Sequence, residues 1–198
     1  MKTFINYNGN RLSRTHVKNN ILRVWNATTE SDRHDWYTEA NDYAQSLAND
    51  SSVTLPQACG IIAALSPLTS WEKNREYAHA VIVLGVSPYD IPTLKLSRVK
   101  AFRILNAETI DEITSILNGL KTTAFFKNIL FPTSDATITI DRHAIAIALN
   151  KRQPNNDVNL TPLQYQFLAD CYRFTAQSIG VSPILLQSAT WVAWRNMK

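Results

Sequence analysis

"IDEITSILNGLKTTAFFKNI", residues 110–129, reads as two short helices joined by a tight turn. Thr109 and Glu112 stand at capping-box spacing ahead of the first helix. Asn118 and Gly119 permit a sharp reversal, and the second helix resumes with Lys121 and continues until Pro132. A helical hairpin is therefore expected over residues 109–130.

Helix punctuation continues on both sides of it. "VKNNILRVW" puts Val17, Ile21, Leu22 and Trp25 at helical spacing. "SDRHDWYTEANDYAQSLA" reads as one long helix with Trp36, Ala40, Tyr43, Ala44 and Leu47 on a stripe. "TLPQACGIIAAL" begins with a Thr54 cap and an early proline and is almost wholly apolar, the pattern of a buried central helix. Thr69 and Glu72 are spaced as a capping box for a helix through Leu84, and Ser97 is placed to cap "RVKAFRIL". "ATITI" is a lone extended piece at most, and a helix starts at Asp141. After the polar loop "NKRQPNNDVN", Thr161-Pro162 open a helix ending at Gly180, and Ser182-Pro183 open another ending near Arg195. The expectation is an all-α fold of about nine or ten helices. No segment looks like a flexible linker, so residues 1–198 are expected to form a single domain.

Composition narrows the function classes. The 198-residue chain is 45% hydrophobic and 18% charged, as in ordinary globular proteins. Its two cysteines, Cys59 and Cys171, sit in apolar contexts that suit buried free thiols. They are too few for a four-cysteine iron–sulfur cluster or a structural zinc site, so no metal and no cofactor is expected. The opening residues are polar and no apolar run approaches the roughly 18–20 residues of a membrane span, so a cytoplasmic monomer is expected. Net charge is +4 but unevenly spread. Residues 1–25 carry five basic side chains and no acid, residues 26–94 three basic and nine acidic, residues 95–152 nine basic and five acidic. Two electrostatic faces of that kind fit a nucleic-acid partner, and equally a solvated surface.

A second stretch, "DATITIDRHAIAIALN" (135–150), runs β-branched up to Asp141 and then turns apolar and Ala-rich. It delivers a carboxylate to a helix start, with Arg142 and His143 directly behind. An apolar helix ending in "LSPLTSWEKN", then the hairpin, then this junction: in that order the chain resembles the helix-hairpin-helix DNA glycosylase superfamily, of which endonuclease III is a familiar member. The likeness rests on Lys121-Thr122-Thr123-Ala124 and, twenty residues after the lysine, Ile140-Asp141-Arg142-His143. "LLQSATWVAWRN" looks like the family's closing helix, and the likeness spans residues 55–196. It implies two packed helical lobes with a central cleft, and a DNA glycosylase that flips a damaged or modified base and cleaves its N-glycosidic bond. Asp141 and Lys121 are then the catalytic residues. Ser66, Pro67 and Leu68 enter the DNA, where endonuclease III relatives use a glutamine. Asn118, Gly119, Leu120 and Thr122 face phosphate, and Arg142 and His143 lie along the DNA.

The chemistry follows from placement. A helix N-terminus disfavours a cation, so Lys121 is expected to lose its proton more easily and to supply a neutral amine for attack on a sugar carbon. An ionised Asp141 aimed at a deoxyribose stabilises positive charge as the base leaves, or orients a water. The plainer reading stays open: an aspartate at a helix start is an ordinary cap, worth about 0.5–2 kcal/mol. His143 shows no ligand spacing with His16, His34 or His79, and Trp71, Trp191 and Trp194 suit a core as well as base stacking. The chain also looks like short glycosylase-related proteins of bacteriophages, which leaves a base-hypermodification enzyme or a non-catalytic DNA-binding module as alternatives.

Overall fold

The computed structural model describes residues 3–152 and 159–197. Most of the polar loop expected over 150–159 lies outside the described residues. The fold is all-α, with one small sheet. Two strands, β1 (Phe4–Tyr7) and β2 (Asn10–Ser13), are followed by α1 (Arg14–Asn26), α2 (Trp36–Asn49), α3 (Leu55–Leu65), α4 (Trp71–Ile82) and α5 (Lys95–Ile104). Next come α6 (Ile110–Leu117), α7 (Leu120–Leu130), α8 (Arg142–Leu149), α9 (Pro162–Ile179) and α10 (Pro183–Asn196). The chain forms two compact units. A terminal unit combines the residues up to Trp36 with those from Thr133 onward, and an insert unit runs from Tyr37 to Pro132. Among the described residues no helix is long and apolar enough to cross a membrane.

In the terminal unit α1 packs on α8, α9 and α10. Val17, Ile21 and Val24 of α1 are fully buried, as are Ile145 and Ile147 of α8 and Leu186 of α10. The buried Asn20 amide donates to the Ala148 carbonyl at 2.8 Å, so the polar group in this seam is paired. The β-hairpin was not foreseen. Asn8 and Gly9 take φ of 46° and 76°, the conformation a two-residue reversal needs, and the strands pair antiparallel with Phe4 opposite Ser13. Ile5, Tyr7 and Leu12 fill its inner face. That alternation is present in the sequence; the polar residues between had hidden it.

The insert unit is built around α3, which packs against α4, α5, α6 and α7. Thr54 caps it in a full capping box with Gln57, and every residue from Ala58 to Leu65 is buried. Thr109 and Glu112 form the expected box at α6. Other expectations need correction. The long helix over 31–48 is two pieces, a short 3-10 turn at Ser31–Arg33 and then α2. The Asp32 carboxylate accepts both the N–H and the hydroxyl of Thr29, each at 2.8 Å, a local closure that competes with helix. Along α2, Tyr43 is only half-buried, and Tyr37 supplies buried aromatic surface instead. Ser70, not Thr69, caps α4, and α4 ends at Ile82. The Thr69 hydroxyl donates back to the Pro67 carbonyl at 3.3 Å. Nor does Ser97 cap α5: that helix begins at Lys95, the Arg98 N–H already bonds to the Leu94 carbonyl, and Ser97 is buried in the first turn.

Gly60 explains how α3 sits so close to its neighbours. A Cβ there would stand 2.8 Å from the Ile113 methyl and 3.1 Å from that of Ile104, both on buried side chains. Alanine would gain about 1 kcal/mol in helix propensity, against about 1–3 kcal/mol for overpacking a closed core. The clash dominates because neither isoleucine has space to retreat. Gly60→Ala is expected to lower stability by about 1 kcal/mol, read as a reduced urea midpoint with unchanged slope.

Candidate functional site

In the terminal unit residues 137–140, which lead to Asp141, form neither helix nor strand. A side chain takes the place of a neighbouring strand. The Tyr165 hydroxyl accepts from the Ile140 N–H at 3.0 Å and donates to the Ile138 carbonyl at 2.9 Å. Arg173 donates to the Ala136 carbonyl at 2.9 Å, and the Ser182 hydroxyl meets Asp135 at 2.9 Å. Ile138 and Ile140 are buried, so the approach to residue 141 is fixed by packing as well as by these bonds.

Asp141 is the N-cap of α8. Its Oδ1 accepts from the N–H groups of His143 at 2.9 Å and Ala144 at 2.8 Å. Its Oδ2 accepts from the Trp191 indole N–H at 3.1 Å. One carboxylate thereby closes the start of α8 and ties it to α10. The group is half-buried. Around it stands a layer of rings and cations. Trp191 meets His143 edge to face at 6.1 Å and Trp36 at 5.5 Å. The Arg195 guanidinium lies over the Trp191 ring, 4.8 Å from its centre. Arg23 and Arg152 approach Trp194 at 5.8 and 5.6 Å. Arg152 also bonds to the Trp194 and Met197 carbonyls, and Arg23 to the Asn150 side chain.

Two titratable neighbours are held neutral. Burial pushes the His143 imidazole below its ordinary 6.5. Asp141 draws it upward, while Arg142, Arg195 and Arg152 push it further down. Its Nε2 accepts from Arg142 Nε at 3.3 Å, which requires an unprotonated Nε2. Tyr172 is fully buried, and burial raises its phenol well above the ordinary value. The neighbouring Thr190 opposes the shift, and the Asp141 charge adds to it. The arrangement presents one carboxylate, fixed in direction by three donors, among neutral rings and several guanidinium groups. A charge so held suits electrostatic stabilisation of a cation and suits orienting a water; it also suits a structural cap.

The structure brings Asp141, Arg142 and His143 together here. The other expected site residues lie in the insert unit. Asn118 takes the left-handed φ of 43° that ends α6, and Gly119 precedes α7 in an extended conformation. A Cβ on Gly119 would meet the Thr122 hydroxyl at 2.9 Å, so a larger residue there would have to displace that hydroxyl. Thr122 donates to the Gly119 carbonyl at 3.2 Å, and the Lys100 ammonium to that of Leu117. No side chain caps α7; Leu120 is exposed and Lys121 half-buried in its first turn. Ser66 caps the end of α3, with its hydroxyl on the Ala63 carbonyl at 2.9 Å. Beyond Pro67, Leu68 adopts φ of 60° with 71% of its surface exposed. Sequence reasoning missed Arg195, Arg152, Tyr172 and Tyr165 as neighbours of the site. Only Trp191 and Arg195, four apart on α10, left a signal that could have been read.

A protein-family profile described as "Family of unknown function (DUF7178)" matches residues 4–198, and the chain belongs to that family. No curated protein and no solved structure matches it.

The lowered His143 value has a consequence for stability. The unfolded chain takes up this proton below pH 6.5 while the folded protein resists it, so the stabilisation is complete above that pH and is lost as pH falls. Stability against urea is expected to decline below about pH 6.5, and the decline to be smaller in His143→Gln.

Proposed function

We propose that the protein acts on a base in DNA as a glycosylase-like enzyme, with Asp141 as its essential carboxylate. The observation that carries the proposal is the half-buried Asp141, fixed by the His143 and Ala144 N–H groups and the Trp191 indole, among Arg142, Arg152 and Arg195. Breaking a base–sugar bond places positive charge on the sugar, and a carboxylate already oriented pays no reorganisation cost when that charge appears. The guanidinium groups suit the flanking phosphates. His143, neutral and beside Asp141, suits a hydrogen bond to the nucleotide.

The insert unit supports the same reading in two ways. Leu68 holds a left-handed backbone that costs a leucine about 1–2 kcal/mol, and its side chain contributes little burial in return. An exposed apolar side chain on a strained turn suits a wedge that unstacks bases. The uncapped start of α7, at Gly119 to Thr122, offers backbone N–H groups for a phosphate. The resemblance adds a Schiff-base route with Lys121 as nucleophile, the alternative being attack by water. Borohydride trapping on abasic DNA reads that role, since an adduct lost in Lys121→Ala marks a lyase and no adduct marks attack by water. One observation favours a second reading, a DNA-binding module without catalysis: the three bonds of Asp141 are also those of a structural cap.

Asp141→Asn separates the two. Asparagine keeps a cap acceptor but turns an amide toward the Trp191 N–H, for a stability loss of about 1 kcal/mol. On a panel of damaged and modified bases followed by mass analysis, base release is expected to drop by about 100-fold or more with DNA affinity retained. Release at the wild-type rate would exclude Asp141 from the chemistry, and a base altered but still attached would indicate remodelling. Leu68→Gly is expected to leave stability within about 0.5 kcal/mol, because relief of strain offsets the entropy of glycine. The same change is expected to weaken binding to duplexes with an unpaired base, measured by fluorescence anisotropy.

A further inference from the structure

Cation-on-ring contacts concentrate in the terminal unit, and one group of them gathers where the hairpin, the start of α1 and α9 meet. The Arg11 guanidinium sits 4.1 Å from the centre of the Phe4 ring. Lys18 and Arg14 lie over the Phe174 ring of α9 at 5.1 and 5.5 Å. These groups adjoin one another. Phe4 pairs with Ser13 in the sheet, and the Arg14 N–H bonds to the Thr3 carbonyl at 3.0 Å. Arg14 and Lys18 are one turn apart on the same face of α1, and Trp25, under Arg33 at 4.3 Å, continues that face.

We infer that this face is a second nucleic-acid contact, on which Arg11, Arg14 and Lys18 meet the phosphates of a strand while Phe4 and Phe174 offer ring surface to its bases. Of these residues only Phe174 lies within the 55–196 stretch that resembles a glycosylase, and the inference does not depend on base release. Charge supports it: residues 3–25 contain no acidic side chain. Ring exposure supports it too, since Phe4 and Phe174 each keep 40% of their surface open while a cation lies over the ring. Their exposed neighbours are Asn6, Asn8, Asn10, Thr15 and Asn19, which offer hydrogen bonds to phosphate or base. A surface made for lipid would expose aliphatic side chains in those places. Alternating cations and rings match what a flexible strand requires, a phosphate contact and a stacking surface at successive nucleotides.

The test is the salt dependence of binding to undamaged DNA, so base release is not read and the two proposals fail separately. A fluorescein-labelled oligothymidine strand and a labelled duplex are titrated at several salt concentrations with wild type, Arg11→Gln and Lys18→Gln. Each variant is expected to reduce the log–log slope by about 0.7 on the single strand or about 0.9 on the duplex, and Lys18→Arg to restore it. Acetylation of the wild-type protein gives a measurement that needs no variant: bound oligothymidine is expected to slow modification of Lys18 severalfold. Slopes unchanged in both glutamine variants, Lys18 equally reactive with and without DNA, or no binding to either probe would overturn the inference. So would binding through Arg11 and Lys18 to phosphatidylserine vesicles but not to DNA.

Discussion

One carboxylate organises the terminal unit. Asp141 satisfies two N–H groups at the start of α8 and the indole N–H of Trp191 on α10. A helix start left without partners exposes its first N–H groups at a free-energy cost, and an aspartate is among the best side chains to meet them. Here the second oxygen reaches across to another helix, so local capping and tertiary packing become one interaction. Trp191 is held by that bond, and the rings of Trp36 and His143 and the Arg195 guanidinium are arranged against Trp191 in turn.

The approach to that carboxylate shows how a buried segment outside helix and sheet finds its partners. Residues 137–140 are β-branched and the last three are buried, so their backbone groups need partners. Tyr165 provides two with a single hydroxyl, from a helix that was needed there anyway. Rigidity therefore reaches Asp141 from the side of α9 as well as through its own helix. In the insert unit rigidity has another source. The helix α3 is wholly apolar through its last two turns, and glycine at position 60 lets α5 and α6 close on it. Their hairpin partner α7 then starts from a turn that depends on Asn118 and Gly119.

Electrostatics in the terminal unit follow from how its cations are placed. Many lie against aromatic rings, an attraction of about 0.5–1 kcal/mol at exposed sites that keeps the charge open to a third party. Near Asp141 the same cations help hold His143 neutral, so positive charge there is carried by guanidinium groups that do not titrate. A surface of that kind meets an anion with the same strength across the physiological pH range. Its sensitivity is to salt.

Much of this was present in the chain taken by itself. Capping boxes at Thr109 and Thr161, the left-handed stop at Gly180 and the apolar run from Ala58 are local events, and local residues determine them. For the same reason the helix start at Asp141 was readable from its neighbours alone. Other local signals competed at close range. Ser70 displaced Thr69, and the Asp32 closure with Thr29 split a helix, because two side chains within a few residues sought the same backbone groups. The partners of Asp141 were of another kind. Trp191, Tyr172 and Arg152 are separated from it along the chain, and no periodicity records that they meet. Sequence alone determined that a carboxylate stands at a helix start; only the tertiary structure decided that its second oxygen binds an indole among arginines, because that contact exists once α8, α9 and α10 have packed.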